Sequence, residues 1–235
     1  MATGEDKHIV GLDQSALREK MLAAYVAGRL EPALELMVEA QGAICPAARM
    51  DLQIADAVTG AFFECEMAVD LGPNALERVL AAIDQSPASQ APRARQPQAA
   101  HAASGVLEEI LRLPEPVRAK ALEAIEAGGW SFAGPGIRAL PLRVAGPSHA
   151  ELLRIEPGWG APRHTHNGAE FTLVLSGAFH DERGLYRPGE IAVAGPGVTH
   201  QPTAERGAVC YSLAVTDAPL EFTGALGMIQ KLWRH

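Results

Sequence analysis

Gly158-Trp159-Gly160-Ala161-Pro162-Arg163-His164-Thr165-His166-Asn167-Gly168-Ala169-Glu170-Phe171-Thr172-Leu173-Val174-Leu175-Ser176-Gly177 is the stretch whose reading decides the fold. Side chains alternate across a β-strand, so His164 and His166 share one face. Glu170 keeps the same parity and opens the apolar run Phe171 to Leu175, which reads as the next strand. His200, thirty residues further on, comes from a different strand. Neutral imidazoles and an ionised carboxylate suit zinc, iron, manganese or nickel, so His164, His166, Glu170 and His200 are the candidate ligands of one divalent ion.

The spacing is tighter than the ligands alone require. Gly158, five residues, His164, one residue, His166, three residues, Glu170, six residues and Gly177 together resemble the first cupin motif. Gly189, then Pro196-Gly197-Val198-Thr199-His200, resembles the second, with an interior that departs by a residue and no Asn after the final His. The flanking runs agree. From Trp130 onward, short β patterns broken by Gly and Pro fall at Ile137–Val144, Ala150–Ile155, Glu170–Leu175, Ala178–Asp181, Glu190–Val193 and Ala208–Val215. Antiparallel strands of that length suit a jelly-roll barrel whose mouth holds a metal.

Upstream the period changes to helical. Leu17, Met21, Leu22, Tyr25 and Val26 form one pattern stopped at Gly28, and Leu34, Met37, Val38 and Ile44 form a second. Pro46 can open a third, which runs through Met50, Ile54, Val58, Phe62 and Met67 or Val69 to Gly72-Pro73. A fourth covers Ala75 to Ile83. Four helices in about 70 residues make a bundle that is marginal by itself. Residues 85–104 are Pro/Ala/Gln-rich without apolar period and read as a linker. Residues 105–127 resume helical spacing, divided at Pro114 and Pro116 and ended at Gly128-Gly129. The expected fold is a multidomain α and β chain: a helical domain at 1–84, a linker at 85–104, and a jelly-roll domain with leading helices at 105–235.

The net charge of −8 sits in the first third of the 235 residues. Residues 1–84 carry 14 acidic and 6 basic side chains, hence −8; residues 85–235 carry 14 of each. Direct nucleic-acid binding is disfavoured, because it needs a basic face; an acidic helical face suits a basic protein partner. No apolar run approaches the length that crosses a bilayer, and the N-terminus lacks the pattern of a signal peptide, so a cytoplasmic protein is expected. Three cysteines, Cys45, Cys65 and Cys210, form no disulfide framework and read as free, buried thiols. Trp130, Trp159 and Trp233 read as packing anchors, and His180 as exposed. Arg154, Glu156, Arg163 and Tyr211 could frame a pocket, although such residues more often pack or face solvent. Neither a nucleophile elbow nor a phosphate-binding glycine loop is present.

Taken together, the two halves resemble the ChrR family of cupin-containing anti-sigma factors. The resemblance is carried by Met21-Leu22-Ala23-Ala24-Tyr25-Val26-Ala27-Gly28, Leu152 to Gly158, His164 to Glu170, Leu173 to Phe179 and His200-Gln201-Pro202. It implies a helical domain that sequesters an ECF-type sigma factor and a cupin domain that releases it under oxidative or other small-molecule signals. It also implies zinc as the barrel metal. That family's helical domain usually holds its own zinc through an upstream His and a His-x3-Cys-x2-Cys run. The matching positions here are Gln41, Cys45 and Ala48, with Ala16 near the upstream one. Neither Gln nor Ala replaces a thiolate or imidazole, so no zinc is expected in residues 1–84. A metal-dependent cupin enzyme, such as a dioxygenase or isomerase, and a non-catalytic binding module whose helices form a homodimer remain the alternatives.

Overall fold

A computed structural model describes residues 14–85, 104–217 and 220–222. Among the described residues six helices precede twelve strands: α1 Gln14–Val26, α2 Pro32–Ile44, α3 Pro46–Cys65, α4 Ala75–Asp84, α5 Ser104–Leu111 and α6 Val117–Ala127. The punctuation is local chemistry. Past α1, Gly28 takes the left-handed conformation (φ 62°) while the Arg29 amide donates to the Ala24 carbonyl at 2.8 Å. Helix α2 begins at Pro32, whose missing N–H costs nothing in a first turn, and the Glu31 carboxylate accepts from the Ala33 amide at 3.1 Å. Cys45 is extended and is the single hinge residue between α2 and α3, which Pro46 opens. The linker expected at 85–104 lies almost wholly outside the described residues.

The third helix stops at Cys65, several residues short of Gly72-Pro73. A helix owes most of its stability to a packed face, and Met67, Val69 and Leu71 are more than 80% exposed and join no core among the described residues. Cys65 is exposed too, which corrects the expectation of a buried thiol; its neighbours Phe62 and Phe63 point away from any core. Cys45 is half-buried, and Cys210 is fully buried as expected.

The strands are β1 Ser131–Gly134, β2 Ile137–Leu142, β3 His149–Ile155, β4 His164–His166, β5 Glu170–Ser176, β6 Phe179–Asp181, β7 Gly184–Tyr186, β8 Ile191–Ala194, β9 Thr199–His200, β10 Thr203–Ala204, β11 Cys210–Thr216 and β12 Leu220–Phe222. The six patterns read from the sequence all appear, as β2, β3, β5, β6, β8 and β11. One six-stranded antiparallel sheet has the order β1-β2-β3-β11-β5-β8; β10-β6-β7 and β12-β4-β9 form two smaller sheets that close the barrel. Alternation sorts the large sheet into two faces. Leu213 and Val215 of β11, Leu152 of β3 and Leu173 of β5 face outward, whereas Ser212, Ala214, Leu153 and Thr172 face the barrel interior.

Helices cover the outward face. Leu36, Met37 and Ala40 of α2, Ile110 of α5, and Val117 and Ala121 of α6 share one core with Leu140, Leu152, Leu173 and Leu213 of the sheet. Helix α2, which lies well before the linker, therefore packs on the barrel directly. One hydrogen bond reinforces it: the Gln41 amide donates to the Gly189 carbonyl at 2.8 Å. Glu31 packs closely over Gly146, whose missing Cβ leaves room for the carboxylate. Helix α5 is tied down by Glu109, which accepts from Arg154 at 2.9 Å and from the Tyr211 hydroxyl at 2.6 Å. The Arg154 bond is the main reason the Glu109 carboxyl lies below its ordinary range.

Burying a Leu or Met side chain contributes about 2 kcal/mol, so α2 should hold the two halves together without a peptide connection. A protease site inserted within residues 86–103 and then cut should leave two fragments that co-elute on size exclusion. Fragments that separate at micromolar concentration would contradict the shared core.

Candidate metal centre

Strand β4 is only three residues long, yet its pairings place all the imidazoles. His164 lies directly opposite His200 of β9, with β12 on the other edge. The Thr165 hydroxyl donates to the Val198 carbonyl at 3.2 Å, and the Gly197 amide donates to the His166 carbonyl at 3.0 Å; both fix the loop that delivers His200. His164, His166 and His200 are 2%, 4% and 3% exposed, so water is largely excluded from all three. Nε2 of His200 stands 3.0 Å from Nε2 of His164 and 2.9 Å from Nε2 of His166. Glu170, the first residue of β5, brings Oε1 to 3.8 Å from Nε2 of His200. The Thr172 hydroxyl donates to the same carboxyl at 3.2 Å.

The outer nitrogens decide what lies between the inner ones. Nδ1 of His164 is 2.8 Å from the Pro162 carbonyl, which can only accept, so this nitrogen carries the proton. Nδ1 of His200 is 3.1 Å from the Asp181 carboxylate and donates to it. With the proton on Nδ1, each facing Nε2 presents a lone pair. Two lone pairs 3.0 Å apart repel unless a positive charge sits between them. Metal–nitrogen bonds of about 2.0–2.1 Å place neighbouring donor nitrogens about 3 Å apart. His164, His166, Glu170 and His200 therefore form a group that could hold a metal ion, and it is the one such group of His, Cys, Asp and Glu among the described residues.

The electrostatics agree. Burial, then the two neighbouring imidazoles, pushes His166 down to about 3, which keeps its nitrogen free to coordinate. Burial also lowers His164 and raises Glu170. A largely buried carboxylate is favoured in its ionised form by a neighbouring cation.

Two residues here were not singled out from the sequence. Asp181 accepts from His200 and from Arg183, whose guanidinium donates at 3.0 and 2.6 Å. Burial alone would raise the Asp181 carboxyl, but these hydrogen bonds outweigh it and hold it well below the ordinary range. Such a carboxylate behind a histidine sets the ring's tautomer and raises its basicity as a donor. The signal was available: His180 is exposed as expected, so alternation puts Asp181 on the inward face of β6.

Of the residues considered as pocket walls, none reaches the centre. Arg154 and Tyr211 point to the helical side, and Glu156 pairs with Arg154 at the surface. Arg163, at the rim, pairs with Glu182 at 2.9 Å. Trp130 packs edge-on against Tyr211, whereas Trp159 is half exposed over Gly136, which has no Cβ to collide with it. Trp233 lies outside the described residues.

Residues 118–218 match the family described as the ChrR cupin-like domain. Anti-sigma-E factor ChrR of Cereibacter sphaeroides is 35% identical over 217 residues, 92% of this chain and 96% of that protein. This chain belongs to the ChrR family. A chain in the crystal structure of Rhodobacter sphaeroides SigE in complex with the anti-sigma ChrR superposes with a TM-score of 0.64 and 33% identity, over 85% of this chain and 96% of that one. The ChrR arrangement of leading helices and a C-terminal cupin domain is thus the architecture of this chain. Where ChrR-type helices are expected to carry zinc ligands, Gln41 instead bonds the barrel through Gly189, and Cys45 packs beside that glycine.

Replacing the acceptor behind His200 tests the geometry without touching a donor. Asp181→Asn should weaken divalent-ion affinity by about 10–100-fold, measured by competition with a chromophoric chelator. Unchanged affinity in a folded variant would contradict the assignment of Asp181.

Proposed function

We propose that this chain is an anti-sigma regulator. Residues 1–84 hold an ECF-type sigma factor, and residues 105–235 form a cupin domain that binds one divalent ion, zinc, through His164, His166, Glu170 and His200. The observation that carries the reading is an uncovered apolar surface. Met50, Ile54, Val58 and Phe62 recur every four residues along α3 and are each more than half exposed. In α4, Leu76, Val79, Leu80 and Ile83 form a second stripe, and no residue of that helix is buried. An amphipathic helix with its apolar face in water marks an interaction surface. The net charge of −8 in residues 1–84 favours a basic partner. Membership of the ChrR family, together with the matched crystal structure of ChrR bound to SigE, supports a sigma factor as the class of that partner.

Four protein donors close a tetrahedral zinc site, which suits a structural or signal-reading ion rather than turnover. Iron or manganese with the same donors would keep open positions. No described helix is long and apolar enough to cross a membrane, and a regulator of sigma factors works in the cytoplasm. The absence of zinc ligands at Gln41 and Ala48 leaves the helices dependent on apolar packing, so one ion per chain accompanies this reading.

The surface residues give a clean test because they are exposed. Val58→Asp with Phe62→Asp should lower affinity for the cognate sigma factor by roughly 100-fold in titration calorimetry, with a melting temperature unchanged within a few degrees. Undiminished binding would move the interface elsewhere; turnover of a substrate that His164→Ala abolishes would replace a regulator with an enzyme.

A further inference from the structure

The interior of the barrel is not filled. A cavity of about 510 Å³ opens on the metal centre, a volume within the range that accepts small organic ligands. His164, Glu170 and His200 form its floor, whereas His166 is not among its lining residues, so the group presents one side to the cavity. Its walls divide by chemistry. Ile137, Leu153, Ile155, Phe179 and Ala214 make the apolar part. The polar part comes from neighbouring positions of β3, β5 and β11: Glu151 of β3 pairs with Ala214, and Ala214 with Thr172.

Glu151 is the informative residue. It sits on the interior face of β3, partly buried and with no hydrogen bond to protein among the described residues; burial pushes its carboxyl up, and His149 draws it back down in part. Among the described residues neither lysine nor arginine lines the cavity; His149, at the start of β3, lines it from an exposed position on the same face as Glu151. A bound cation is then the fixed positive centre of its interior. One anionic oxygen can be taken there; a second anion would meet Glu151.

We propose that this cavity binds a small monoanionic amphipathic acid, its charged oxygen on the cation and its hydrocarbon body along Leu153, Ile155 and Phe179. The proposal rests on the metal reading above and names the class of signal molecule that the barrel takes. The acid's oxygen would approach from the cavity side, where His164, Glu170 and His200 face the opening.

The full chain loaded with cobalt(II) separates the two readings. Visible ligand-field bands on loading report the metal site itself; if none appear, both readings fall. On the loaded protein, octanohydroxamate should shift those bands with at least tenfold higher affinity than acetohydroxamate, because only the longer probe reaches the apolar wall. Ala214→Leu, or the larger Leu153→Trp, should reduce octanohydroxamate to the affinity of acetohydroxamate while leaving the cobalt spectrum before ligand unchanged. Suberic acid monohydroxamate, which adds a second negative charge at similar length, should bind at least tenfold more weakly than octanohydroxamate, and Glu151→Gln should narrow that gap. Equal affinities for the long and short probes in a cobalt-loaded chain would overturn the cavity proposal and leave the metal site standing.

Discussion

Imidazole lone pairs do not face one another at about 3 Å inside a dry protein without a positive charge between them. The Pro162 carbonyl and the Asp181 carboxylate take the Nδ1 protons of His164 and His200, and so commit their Nε2 atoms to the interior. The direct pairing of His164 with His200 across β4 and β9 then sets the spacing. Burial adds the second half of the constraint, since it makes protonated rings too costly to serve as the missing charge. The barrel walls, the short strands and the turn at Gly197 are all arranged around this demand.

Helix α2 connects that centre to the rest of the chain. One side of α2 shares a core with β3, β5 and β11, and Gln41 bonds the loop at Gly189 that leads into β8. Packing on the barrel supports α2, whose Leu36, Met37 and Ala40 are buried in the shared core. Helix α2 thus belongs to the core of the barrel sheet as well as to the leading helices. The exposed apolar faces of α3 and α4 take no part in that core.

Much of this was legible in the residues. The parity of His164, His166 and Glu170 placed them on one face, and the six apolar runs between Ile137 and Val215 correspond to strands of the barrel, five of them in the large sheet. Periodicity was less informative about what covers a face. The spacing of Met50, Ile54, Val58 and Phe62 marks an apolar stripe equally well whether its partner is the same chain or another. The strands β7, β9, β10 and β12 are two or three residues long, too short for alternation to register. Asp181 and Arg183 act only through folding of the β6–β7 hairpin against β9, a contact that no local pattern encodes, although the inward parity of Asp181 hinted at it. The sharing of α2 between the helices and the barrel was hidden for a similar reason: its apolar residues fit one helical face, and its neighbour was set by topology.

The most direct measurement is anomalous diffraction from crystals of the purified full chain, with data collected on both sides of the zinc absorption edge. The account predicts a single strong peak at the point shared by the Nε2 atoms of His164, His166 and His200. A map without a peak there, or with one beside Gln41 and Cys45 in its place, would contradict it.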